Sequence, residues 1–99
     1  DFNLVWLSPT SGDTLKLLDF PINLELNLDK PSKVKKIDFY YVDLEDRSRW
    51  FAYIESPYQN KLFVNWDKDI EAGVYKLYMV VKDQSNNLIT TPSIIVNVE

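Results

Sequence analysis

Between Ile22 and Asp29, apolar and polar side chains alternate without a break, with Ile22, Leu24, Leu26 and Leu28 set against Asn23, Glu25, Asn27 and Asp29. A helix turns about 100° per residue and would scatter the leucines around its circumference; a pleated strand sends every second side chain to the same face. The segment is therefore a strand with one face in a core and the other in water, and such a strand needs a second layer to cover it. A chain of 99 residues has material for one core of this kind and not for two, so residues 1–99 are read as one module. Its 14% aromatic content argues against disorder.

The remaining apolar runs have the same character. They are Ile37-Asp38-Phe39-Tyr40-Tyr41-Val42, the stretch from Arg49 to Ile54, the alternating set Leu62, Val64, Trp66, the set Tyr75, Leu77, Met79, Val81, and the final Ile94, Val96, Val98. β-branched and aromatic residues dominate them, and Gly, Pro, Asn, Asp and Ser collect between them. Leu4 to Leu7 and Thr14 to Leu18 form a first strand split around the turn Ser8-Pro9-Thr10-Ser11-Gly12-Asp13. Only Asp67 to Ala72 suits a helical turn, which Gly73 would stop. The expected architecture is all-β: an immunoglobulin-like antiparallel β-sandwich of about seven strands.

Several chemistries are excluded by what the chain lacks. Without histidine there is neither a Ser-His-Asp triad nor an imidazole metal site, and without cysteine neither a disulfide framework nor a thiol nucleophile. The net charge is −4, and the densest basic group is only Lys33, Lys35 and Lys36, so nucleic acid is not an expected partner. No apolar run approaches the ~20 residues of a membrane helix, and membrane insertion is not expected. The Asp1 start, with no initiator Met, reads as an excised or processed piece of a larger protein. Two acidic loops remain, Asp43, Glu45, Asp46 and Asp67, Asp69, Glu71. Neither matches a calcium-loop signature, and solvated turn carboxylates are the simpler explanation, so no metal, cofactor or catalytic pair is expected.

A run of short motifs in fixed order carries a resemblance. Ser56-Pro57-Tyr58, Phe63-Val64-Asn65-Trp66-Asp67, Ala72-Gly73-Val74-Tyr75-Lys76-Leu77 and Lys82-Asp83-Gln84-Ser85-Asn86-Asn87, with Ser8-Pro9-Thr10-Ser11-Gly12 and Val34 to Tyr41 before them, resemble the bacterial immunoglobulin-like (Big) domain family. Asn86 stands where that family has Gly, and Asp43 to Ser48 replaces its short Asp-Gly hairpin. The resemblance implies a non-catalytic module, secreted or at the cell surface. Such a module acts as a spacer or an interaction domain in a bacterial surface protein or a secreted polysaccharide-degrading enzyme. Independently of family, Tyr75 just after Gly73-Val74 fits a tyrosine corner, and Trp66 belongs to the inward set as a core anchor. Tyr75, Trp66 and Gly73 are expected to be structural.

The candidate site lies outside the core. If Ile37, Phe39, Tyr41 and Tyr75, Leu77, Met79, Val81 face inward, pleating sends Tyr40, Val42, Tyr78, Val80 and Ile95 to the outer face of one sheet. Trp50 and Phe51 point to opposite sides, so the strand they occupy also exposes an aromatic, either Trp50 or Tyr53. Three readings fit this strip: cross-strand packing with no ligand, a contact surface for a neighbouring domain or another surface protein, or a polysaccharide platform. The platform would use Tyr40, Tyr78 and one of Trp50 or Tyr53 as flat rings, with Asp38, Lys76 or Asn65 supplying hydrogen bonds. Adhesion by strand addition at a polar edge is a further protein-binding mode.

Overall fold

The computed structural model describes every residue from Asp1 to Glu99. The chain forms β1 (Leu4–Ser8), β2 (Thr14–Leu15), β3 (Ile22–Leu28), β4 (Val34–Val42), β5 (Ser48–Glu55), β6 (Lys61–Trp66), β7 (Gly73–Asp83), β8 (Leu88–Thr90) and β9 (Ile94–Val98). They make two sheets. The smaller has the order β1-β3-β6; the larger has the order β2-β9-β7-β4-β5, with β8 pairing β7 above the end of β9. This is the expected sandwich.

The alternation that identified β3 governs its burial: Leu24, Leu26 and Leu28 are fully buried, and their polar neighbours face outward. Opposite them, the inward residues of β4 (Ile37, Phe39, Tyr41) and β7 (Tyr75, Leu77, Met79, Val81) close the core, which contains no polar or charged residue. Trp66 at the end of β6 is the largest fully buried side chain. Tyr41, Phe51 and Tyr75 of the larger sheet lie 5.4–5.9 Å from it, centroid to centroid, and Phe20 lies edge-on at 5.1 Å. The indole N–H of Trp66 has no hydrogen-bond partner, so its anchoring is entirely apolar.

The first strand is split as expected, but its two halves join different sheets. β1 pairs antiparallel with β3, while β2 pairs in parallel with β9, the one parallel ladder of the fold. Gly12, at φ +94°, lets the intervening turn swing across, and its N–H donates to the Ile95 carbonyl at 2.7 Å. The strand expected to reach Leu18 ends at Leu15. Leu17–Asp19 coils into a 3-10 turn that delivers Phe20 to the edge of the Trp66 ring.

Two further local features depart from expectation. β8 is not among the strands expected from the sequence; it covers only Leu88–Thr90, and a short gap separates it from β9. Thr91 closes the gap: its Oγ1 accepts from the Met79 N–H, and its own N–H donates to the Met79 carbonyl, both at 2.9 Å. Residues 67–72 do not form the expected helical turn. The segment crosses from the smaller sheet to the larger, and the Glu71 peptide groups bond the Tyr75 hydroxyl instead of each other. Gly73 accordingly opens β7 rather than ending a helix. It sits at φ +156°, and a Cβ there would fall 2.6 Å from Leu44 Cδ2.

Because Trp66 joins both sheets and cannot be replaced by rearrangement of its rigid neighbours, Trp66→Ala should cost about 3–5 kcal/mol of unfolding free energy, measured by urea denaturation. A loss below about 1 kcal/mol would show that the core closes without it.

Candidate functional site: the outer face of the larger sheet and the cleft at its end

Pleating of β4 and β7 places Tyr40 opposite Tyr78, and Val80 opposite Asp38, on the outer face. All of these side chains are half-buried by their neighbours. Tyr40 and Tyr78 lie parallel, 6° between planes and 5.1 Å between centroids, so each ring covers a face of the other. The Tyr78 hydroxyl reaches past Tyr40 to donate to Ser48 Oγ on β5 at 2.9 Å. The rings therefore do not lie side by side with both faces open, as a flat platform of Tyr40 and Tyr78 would require.

On β5 the structure corrects the expectation that only one of Trp50 and Tyr53 is exposed. The β4–β5 ladder pairs Tyr40 with Trp50 but Phe39 with Ala52, leaving Phe51 as an extra residue in a β-bulge. The bulge lets Phe51 enter the core at 6% exposure while Trp50 (47%) and Tyr53 (51%) both stay outside. Their rings are stacked, 5.9 Å apart and inclined by 20°. The Trp50 indole N–H donates to Asp38 Oδ1 at 2.9 Å, the Lys36 ammonium pairs with the same carboxylate at 3.5 Å, and it also sits 5.2 Å above the Tyr53 ring. Asp38 is thus committed to fixing Trp50. Lys76 lies on this face, opposite Val42 and Ile95. Asn65, paired with Asn23, belongs to the smaller sheet and is not brought to the aromatics.

The two acidic loops, separate in sequence, meet at one end of the sandwich. They wall a cleft of about 490 Å³, with Asp43, Glu45, Arg47, Arg49 and Trp50 on one side and Lys68, Asp69 and Glu71 on the other. Asp43 organises the first wall. Its Oδ1 accepts the Glu45 and Arg47 backbone N–H groups, and its Oδ2 accepts Arg49 Nε, all at 2.9 Å. The Arg47 amide and the Arg49 guanidinium hold its carboxyl below the usual carboxylate range. Arg47 in turn is ion-paired with Glu45. The turn from Asp83 to Asn87 repeats this construction: Asp83 Oδ1 accepts the Ser85 and Asn87 amides, again lowering its pKa, chiefly through Asn87. In each turn the fourth residue, Asp46 (φ 64°) or Asn86 (φ 67°), takes the left-handed conformation. Asn86 and Asp46 thus supply the left-handed residue of their turns, and the charged 43–47 turn is the same device as the 83–87 turn with an acidic residue at that position.

At the floor of the cleft stands the tyrosine corner. The Tyr75 hydroxyl donates to the Glu71 carbonyl at 2.7 Å and accepts the Glu71 N–H at 3.2 Å. Burial pushes the Tyr75 and Tyr41 phenols above their ordinary range. These two rings serve the framework.

No known family's sequence profile matches the chain, and no curated protein sequence does. Solved structures with similar folds include the fibronectin(III)-like modules of Clostridium thermocellum CbhA, at 16% identity and TM-score 0.64 over 98% of this chain. The chain spans 46% of the length of that solved chain of modules. CopC from Methylosinus trichosporium OB3b is similar at 14% identity and TM-score 0.65, over all of this chain and 94% of CopC. These likenesses establish the immunoglobulin-like β-sandwich fold.

Two tests follow from the geometry. Tyr75→Phe strands the Glu71 peptide groups and should cost about 1–3 kcal/mol by urea denaturation; an unchanged midpoint would refute the corner's structural role. Asp43 and Asp83 have folded pKa values depressed below the unfolded ones, so their ionised forms stabilise the fold above about pH 4, and this is lost as pH falls through the folded values. Asp83→Asn keeps the amide acceptor but abolishes one titration. Its Tm, followed by circular dichroism, should therefore decline less steeply than the parent's below about pH 4, whereas parallel slopes would exclude Asp83 as a contributor.

Proposed function

We propose that this chain is a non-catalytic accessory module of a bacterial surface protein or a secreted polysaccharide-degrading enzyme. In this reading it works outside the cytoplasm, positioning and rigidifying a neighbouring domain through the outer face of its larger sheet. One observation carries the reading: a row of rings, Tyr78, Tyr40, Trp50 and Tyr53, crosses three adjacent strands of a face that also exposes Val74 (60%) and Ile95 (47%). Cross-strand packing alone accounts for the stacked Tyr40–Tyr78 pair. It does not account for two more large rings held half in water by a bulge and an indole hydrogen bond. An apolar surface of this kind is what a domain–domain contact buries. The fibronectin(III)-like modules with a similar fold, and the motif resemblance to Big domains, both support a modular role.

The reading is tested by hydroxyl-radical footprinting of the isolated chain and of the longer protein it is proposed to belong to. Tyr53 and Ile95 should react in the isolated chain and be protected in the longer protein. Equal reactivity in both would overturn the docking role. Tyr53→Ser should leave the Tm of the isolated chain within a few degrees of the parent, since the ring is half in solvent.

A further inference from the structure

The geometry points to the end cleft as a binding site for a neutral oligosaccharide, adjoining the outer-face contact at Trp50 and built around that residue. A volume of about 490 Å³ lies within the roughly 300–1,000 Å³ of small-ligand sites. Trp50 stands at the corner where the outer face turns into the cleft, so its indole borders both. That ring is already fixed, by its hydrogen bond to Asp38 and its stacking on Tyr53. A pyranose packing its C–H face on the indole would therefore immobilise no new aromatic side chain, which lowers the entropic cost of binding.

The polar lining selects the ligand class. Most of the first wall is already engaged: Asp43 with the turn amides and Arg49, and Glu45 with Arg47. Across the cleft, Lys68, Asp69 and Glu71 present an ammonium and two carboxylates with no side-chain ion pair inside the chain, while the Tyr75 hydroxyl is held by the Glu71 backbone. Four carboxylates and three cations line the cleft, so there is no field of one sign to recruit an ion. What remains is a set of charged donors and acceptors facing an exposed aromatic, which matches a ligand with a hydroxyl-rich rim and an apolar ring face. The sugar would lie between Trp50 and the 68–71 wall.

The isotope-labelled chain, titrated with soluble cello-, xylo-, manno- and laminari-oligosaccharides, tests this by amide and indole shifts in two-dimensional NMR. The expected result is saturable movement of the Trp50 indole N–H and of backbone amides in residues 43–49 and 68–71 with at least one of these glycans. Trp50→Ala should weaken that affinity about tenfold or more. Glu71→Gln, a change at an exposed side chain that leaves the backbone of the tyrosine corner intact, should weaken it several-fold. Phe63→Ala, on the opposite sheet, should not change it. Absence of saturable shifts with every glycan, shifts centred away from the cleft, or unchanged affinity in a folded Trp50→Ala variant would each overturn the proposal. The docking role is read on Tyr53 and Ile95 in a longer protein, so either proposal can fail while the other stands.

Discussion

The two sheets are held face to face by the rings around Trp66. Immunoglobulin-like sandwiches of antibody type pin their sheets with a disulfide packed against a tryptophan. This chain has no cysteine, and the position is taken by aromatics: Trp66 comes from the smaller sheet, and Tyr41, Phe51 and Tyr75 from three successive strands of the larger. Each member is tied to a feature elsewhere. Phe51 reaches the cluster only because of the bulge in β5, Tyr75 anchors the crossover from β6 through Glu71, and Phe20 arrives by the 3-10 turn after β2. The local irregularities of the fold are, in large part, the adjustments that bring these rings together.

What was legible in advance is what period-two alternation encodes. The β3 pattern, the inward sets of β4, β6 and β7, the split first strand and the tyrosine corner all follow from side-chain spacing and turn chemistry, and they determine the fold class. The structure departs from the alternation where backbone geometry is set by tertiary demand. Residues 67–72 carry capping-type aspartates that suit a helical turn, yet the chain there has to span two sheets, and the Tyr75 hydroxyl takes up the Glu71 peptide groups. β8 is only three residues long, and the Thr91 hydroxyl that accepts the Met79 N–H just beyond its end is a contact no periodicity reveals.

For the candidate site, the face was readable and its detail was not. Alternation places Tyr40, Tyr78 and Val80 outside and demands one exposed aromatic on β5. A bulge adds a residue to one strand without any change in composition, so the joint exposure of Trp50 and Tyr53 could not be counted from the sequence. Nor could the meeting of the two acidic loops, which are 20 residues or more apart and converge only because β4–β5 and β6–β7 turn at the same end of the sandwich. The adjacency of Trp50 and Phe51, two large rings of which one has to be inside, was the available hint.

The bulge at Phe51 also bears on solubility. β5 is the free margin of the larger sheet, eight residues long and bearing two exposed rings, the sort of strand that invites a second chain to extend the ladder and seed aggregates. An incoming strand needs an even row of outward N–H and C=O groups to bind. The extra residue at Phe51 throws that row out of step midway along the margin and sharpens its twist. The aromatic side chains can thus stand exposed while the backbone beneath them is a poor template for intermolecular β-structure.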